Sequence, residues 1–170
     1  GMHSKNIYRL DEVQKFEGMV APQNVALSMF PMGPTLRSEF PEVTNFTRVR
    51  HTEKFDLTIR DTKIFLPSAY FVDSTFLQMF DFKLLKGDRT SVLQQPKSIL
   101  LTEETAVKLF GNEDPIGKTV THYIGDTTLY TVKGILADVP ENSHLQFDAL
   151  MSLSTRYGPD NMENWGGNWL

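Results

Sequence analysis

Apolar and polar residues alternate strictly over Phe55–Arg60, with Phe55, Leu57 and Ile59 on one side and Asp56, Thr58 and Arg60 on the other. Val43–Arg50 repeats the period of two, and both segments predict half-buried strands, because successive side chains of a strand point to opposite faces. Asp61-Thr62 suits a tight turn after Arg60, so Ile64-Phe65-Leu66 is predicted to return as a hairpin and to lead through Pro67 into Ala69–Val72. Upstream, the apolar run Val25–Phe30 is bounded by Pro22 and Pro31 and predicts another strand.

The period becomes helical at Phe76, Met79 and Phe80, which stand at i, i+3 and i+4 behind the candidate caps Asp73 and Ser74. Thr35–Phe40 predicts a short helix with Leu36 and Phe40 on one face and Pro41 ending it. Lys97–Leu101 predicts a strand. Thr102 then caps a helix with Glu103 and Glu104 in its first turn, Ala106, Leu109 and Phe110 on its apolar face, and Gly111 as its stop. Lys118–Tyr123 and Leu129–Ala137 flank a turn at Gly125-Asp126 and predict a second hairpin, and Phe147–Leu153 predicts the last strand. The sum is an α+β fold: a hairpin-rich mixed β-sheet with short helices packed on one face.

Composition narrows the function. With 170 residues, 40% of them hydrophobic and 22% charged, the chain holds enough apolar surface for one core and is not a disordered segment. Gly1 ahead of Met2 reads as a tag remnant, so the expected domain is residues 7–170 behind a tail of residues 1–6. The net charge is -4 and the 17 lysines and arginines are scattered, which lacks the basic stripe of a nucleic-acid binder. No run approaches the roughly 20 apolar residues that cross a bilayer. Cysteine is absent, which removes disulfide frameworks, thiolate metal sites and cysteine nucleophiles.

Candidate chemistry is thin. Gly111–Thr119 has the outline of a phosphate-binding loop, but five residues rather than four separate Gly111 from Gly117, Pro115 removes an amide donor, and the stretch follows a helix. A helix stop followed by an Asp-Pro turn explains it better. Ser143-His144, with Asp138 and Glu141 nearby, offers a nucleophile, base and orienter, yet neighbours in a turn rarely aim at one another as a triad requires. The expected arrangement is a turn held by the Asn142 and Ser143 side chains, with His144 as a polar-tipped wedge. His3, His51, His122 and His144 are spread along the chain without ligand spacing. The acidic pairs Asp11-Glu12, Glu103-Glu104 and Glu113-Asp114 read as solvated surface. Trp165 and Trp169, around Gly166-Gly167-Asn168, are the candidate ligand platform. No catalytic, cofactor-binding or metal-binding residue is predicted.

Several linked segments carry a family resemblance. These are Val72–Phe80; Leu84-Leu85-Lys86-Gly87-Asp88; Ser98–Glu103 with Ala106 and Leu109-Phe110-Gly111; Asp114-Pro115-Ile116-Gly117-Lys118; and Val132–Asp148. In order and spacing they resemble the MacB-like periplasmic core domain of FtsX-like ABC-transporter permeases. Ile7-Tyr8-Arg9, Leu36 and Phe40-Pro41-Glu42-Val43 are similar to the start of that domain. The resemblance implies a porter-like domain between the first and second membrane helices of a permease in the bacterial cytoplasmic membrane, facing the periplasm or the extracellular side. It implies no enzyme activity in the domain. It also implies a cytoplasmic ATPase subunit or domain, a second permease copy, and a periplasmic or outer-membrane protein as partners, in substrate export or partner actuation. Family members continue beyond the tryptophan-rich stretch, so the resemblance implies that part of the subdomain, or the strand completing its sheet, lies past Leu170, which would leave an edge unpaired and open to artificial dimerisation. The alternatives are an extracytoplasmic sensor domain holding a small molecule between Trp165, Trp169 and phenylalanines, and a hydrolase built on Ser143 and His144.

Overall fold

Two segments without alternation, Ser98–Thr102 and Ala149–Ser152, form the centre of the sheet, and every residue of both is buried. Such continuous apolar runs need a layer on each side of the strand. The computed structural model describes residues 27–31 and 46–157, and within them the chain runs β1 (Leu27–Pro31), β2 (Phe46–His51), β3 (Phe55–Ile59), β4 (Thr62–Leu66), β5 (Ala69–Val72), α1 (Phe76–Met79), β6 (Leu84–Lys86), β7 (Ser98–Thr102), α2 (Glu103–Phe110), β8 (Thr119–His122), β9 (Thr128–Leu136), β10 (Ala149–Ser152) and α3 (Ser154–Tyr157). The strand order is β1-β2-β5-β10-β7-β9-β8-β3-β4, with β6 beside β9. β10 runs parallel to β5 and β7 parallel to β9, while the other pairs are antiparallel, so the sheet is mixed as expected.

Alternation along the central strands sends side chains into two cores. Ile99 and Leu101 join Phe55, Leu57, Phe71 and Met151 on one face; Leu100 and Leu150 join Val72, Phe76 and Phe80 on the other. The short helices are therefore divided between the faces instead of gathered on one. The Ala106, Leu109 and Phe110 stripe of α2 belongs to the first core, and Phe76, Leu77 and Met79 of α1 belong to the second. The physical reason is the double-sided burial of β7 and β10, which a single helical layer leaves half uncovered. The expected helix at Thr35–Phe40 lies outside the described residues, as do Val25, Ala26 and Val43–Asn45 of the expected strands.

Local signals set most boundaries. Thr102 caps α2 by accepting the Thr105 amide at 3.4 Å, and Gly111 ends it at a positive φ of 61°, which a residue without a side chain adopts freely. The cap expected for α1 is different: Thr75 occupies that position without a side-chain cap bond. Asp73 is engaged elsewhere. Its carboxylate accepts Arg48 N at 2.7 Å, Nε at 2.8 Å and Nη2 at 2.9 Å, while its own amide donates to the Arg48 carbonyl at 3.1 Å. This buried, forked ion pair continues the β2–β5 ladder past Val49↔Val72. The far end of α1 is held by Arg89, whose guanidinium donates to the carbonyls of Leu77, Phe80 and Phe82 and so satisfies groups that a helix terminus leaves without partners.

Both expected hairpins form, β3–β4 and β8–β9, and Thr58↔Thr121 joins them side by side. The alternation in β3 misleads at one position. Asp56, expected among the outward residues, is 0% exposed. Burial raises its carboxyl pKa, but the Tyr123 and Ile124 amides, each donating to it at 3.0 Å, and the nearby His122 pull it below the usual value. Asp56 thus collects the amides that β8 leaves free as it enters its turn.

The family-like segments meet around β9. Leu84-Leu85-Lys86 pairs with its end at Leu84↔Leu136 and Lys86↔Ile135. A Cβ on Gly134 would sit 2.8 Å from the Lys86 carbonyl, and one on Gly87, at φ 108°, would sit 2.7 Å from that of Lys133. Earlier along the same edge of the strand, Gly117 donates to the Val132 carbonyl at 2.8 Å.

Three outcomes follow. Asp73→Ala, which removes the carboxylate that holds Arg48 by three bonds, lowers unfolding stability by about 3–5 kcal/mol in urea titrations. Gly134→Ala forces β6 from β9 and costs about 1–3 kcal/mol in the same titration. Because the folded pKa of Asp56 is depressed, its contribution is complete above the unfolded value near 3.8 and is lost as pH falls through the lower folded value. Asp56→Asn therefore flattens the loss of urea resistance between neutral pH and pH about 3 relative to the parent chain, read as the shift in urea midpoint.

Candidate functional site

The first core opens at one end into a cleft of about 630 Å³, between the end of β2, the β8–β9 turn and α3. Its floor is aromatic. Phe55, Phe71 and Tyr130 are buried there, with Phe55 edge-on to both of the other rings at 6.4 and 5.9 Å. His122 stacks on Phe55 at 4.2 Å with the rings nearly parallel, and its Nδ1 lies 2.8 Å from Asp56 Oδ1. The rim is polar: Arg50, Thr52 and Glu53 follow from β2, Asp126 from the hairpin turn, and Thr155 and Arg156 from α3. Burial pushes the Tyr130 phenol well above its ordinary value, opposed by the charge of Arg156. Its hydroxyl stays protonated across the physiological range.

Such a cleft can bind, but it is poorly built for proton transfer. Asp56, the buried carboxylate that meets the cleft residue His122, does not line the cleft and already accepts two amides, so the pair fixes the hairpin that walls it. His51 lies outside this pair, against Tyr70 at 4.9 Å and with Nε2 3.1 Å from the Pro67 carbonyl. Among the described residues no three His, Asp or Glu side chains converge on a metal position.

The residues singled out in sequence do not assemble. Asp138 accepts the Glu104 amide at 3.0 Å, at the start of α2, away from a role beside Ser143. The Pro140–His144 turn is held by Gln146, whose Nε2 donates to the Pro140 carbonyl at 2.7 Å and the Ser143 carbonyl at 2.9 Å, and not by Asn142 and Ser143 as expected. His144 is exposed, and the neighbouring Leu145 is the wedge that enters the core. In the Gly111–Thr119 stretch, Asp114 accepts the Ile116 amide at 3.1 Å to shape the turn, and Glu113 meets Arg60 at 2.8 Å on the surface. Its amides serve the fold, with Gly117 committed to β9. Trp165, Trp169, His3 and Asp11-Glu12 lie outside the described residues.

Asp56, His122 and Arg89 were not legible as a site or a clasp. An aspartate in mid-strand between two core residues was the available signal for the first, since a buried acid must find donors. Nothing in the sequence marks the partners of the other two.

The family model described as MacB-like periplasmic core domain matches residues 3–167. A domain assigned to a permease protein from Porphyromonas gingivalis superposes with TM-score 0.61 at 25% identity, covering 85% of this chain and 65% of that one. The chain thus spans less than two thirds of that domain. The periplasmic region of MacB from Actinobacillus actinomycetemcomitans has TM-score 0.50 at 16% identity, over 81% of this chain and 70% of the other, and shares the fold. No curated protein matches the chain. The chain belongs to the MacB-like periplasmic core domain family.

Proposed function

We propose that this domain is a non-enzymatic coupler in an ABC-transporter permease. It stands outside the cytoplasmic membrane, on the periplasmic or extracellular side, and carries motion driven by a cytoplasmic ATPase subunit or domain to an exported substrate or a partner protein. The observation that carries this reading is the combination of family membership with a sheet whose central strands are buried on both faces. A body that transmits displacement must not deform under load, and close-packed interiors transmit strain because their compressibility is low. The bonds of Arg89, the Arg48–Asp73 pair and the glycine contacts at β9 bind loops to that sheet, so the domain is suited to move as one piece.

The character of the cleft points the same way. A sensor holding a small molecule calls for an enclosed apolar pocket with a few convergent polar groups. Here the aromatic floor lies under an open rim with charged side chains of both signs, Arg50, Glu53, Asp126 and Arg156, which suits contact with a protein surface.

The test uses the intact permease with its ATPase. Lys108, exposed on α2, is changed to cysteine and spin-labelled, and distances between two permease copies are measured without nucleotide and with ATP trapped. A shifted distance distribution that disappears in an ATPase-dead complex is expected. An unchanged distribution, in a complex that still exports its substrate, overturns the coupling role.

A further inference from the structure

Strand β4 ends the sheet, and among the described residues its ladder partner is β3. The two-residue turn Arg60-Asp61 makes Ile59↔Thr62 the hydrogen-bonded pair that closes the hairpin. Alternation along an antiparallel ladder then turns the amides and carbonyls of Thr62, Ile64 and Leu66 toward β3. Those of Lys63 and Phe65 face away from the sheet. Pro67 follows and has no N–H to offer. The edge therefore presents two donors and two acceptors, on two residues separated by one.

We propose that β4 is a self-pairing edge, through which two copies of this chain join antiparallel about a two-fold axis at Ile64. That register matches the edge groups completely. Lys63 of each copy opposes the partner's Phe65 as a hydrogen-bonded pair, which uses all four outward groups of each strand. Ile64 meets its own counterpart as the closer, non-hydrogen-bonded pair. A two-fold interface must be self-complementary in this way.

The side chains fit the same register. Lys63 and Phe65 share a face, and Lys63 Nζ lies 5.3 Å from the Phe65 ring centroid within one chain. Across the axis each ammonium meets the partner's ring, so no like charges stand opposite. An edge lysine ordinarily discourages strand addition, but opposite an aromatic ring it gains a cation–π contact. Phe65 is 62% exposed. Leu129, 55% exposed, lies on the same face three strands in from the edge, through Lys63↔Thr58, Thr58↔Thr121 and Thr121↔Leu129, with two threonines between it and the edge. The pairing is a property of the edge itself and does not rest on the transport role.

Sedimentation equilibrium of the 170-residue chain is expected to give a concentration-dependent dimer. Phe65→Lys sets lysine against lysine twice and weakens the dimer about tenfold, with the thermal midpoint of the dilute, monomeric chain unchanged because the position is exposed. The double variant Lys63→Glu/Phe65→Lys places opposite charges across the axis and restores it. In this cysteine-free chain, Ile64→Cys cross-links two copies under mild oxidation, whereas Leu129→Cys, on the exposed face but off the axis, does not. A monomer at every concentration overturns the inference and leaves the edge to a different protein. So does a double variant that fails to recover what Phe65→Lys loses, or a Leu129→Cys chain that cross-links as fast as Ile64→Cys.

Discussion

Strand β9 serves three neighbours, and it can do so because position 134 has no side chain. β8 takes the first half of one edge, β6 the last residues of the same edge, and β7 the opposite edge. The backbone of β6 approaches Gly134 so closely that a Cβ there would stand 2.8 Å from the Lys86 carbonyl, and Gly87 answers with a contact of the same kind on Lys133. Two glycines facing each other across one strand pair set the depth at which the Leu84–Asp88 passage docks. The turn shaped by Asp88, the Arg89 guanidinium and through it the end of α1 are placed as a consequence.

Buried charge has a consistent use in this domain. Arg48 and Asp73 exchange backbone as well as side-chain bonds, so the pair extends a β-ladder beyond the strands themselves. Asp56 does the same for the β8–β9 hairpin by accepting the two amides beyond the last ladder pair. Replacing such groups by apolar side chains of similar size need not weaken a protein. Here the charges hold particular pieces of backbone at particular positions, which apolar packing does not specify.

The motifs that carry the family likeness are committed to structure. Gly87, Asp88, Gly111, Asp114, Gly117 and Asp138 shape turns, end a helix or bind loops to the sheet. These residues maintain the shape that the proposed mechanical role requires, and the polar, open cleft above Phe55 and Tyr130 is the surface proposed for a partner.

Whatever depends on near neighbours was legible in the sequence. The β3 and β9 alternation, the Phe76-Met79-Phe80 and Ala106-Leu109-Phe110 stripes, the Thr102 cap and the Gly111 stop follow from the periods of strand and helix and from which backbone groups their ends leave unpaired. The linked motifs also carried the family. Tertiary structure alone decided the fate of groups whose partners lie far along the chain. It took Asp73 from the α1 cap to Arg48, buried Asp56 under the Tyr123 and Ile124 amides, brought His122 onto Phe55, and divided the helices between two faces. A short-range pattern fixes how a segment is patterned but not which strand lies beside it, and a buried polar group must follow whichever donor that neighbour supplies.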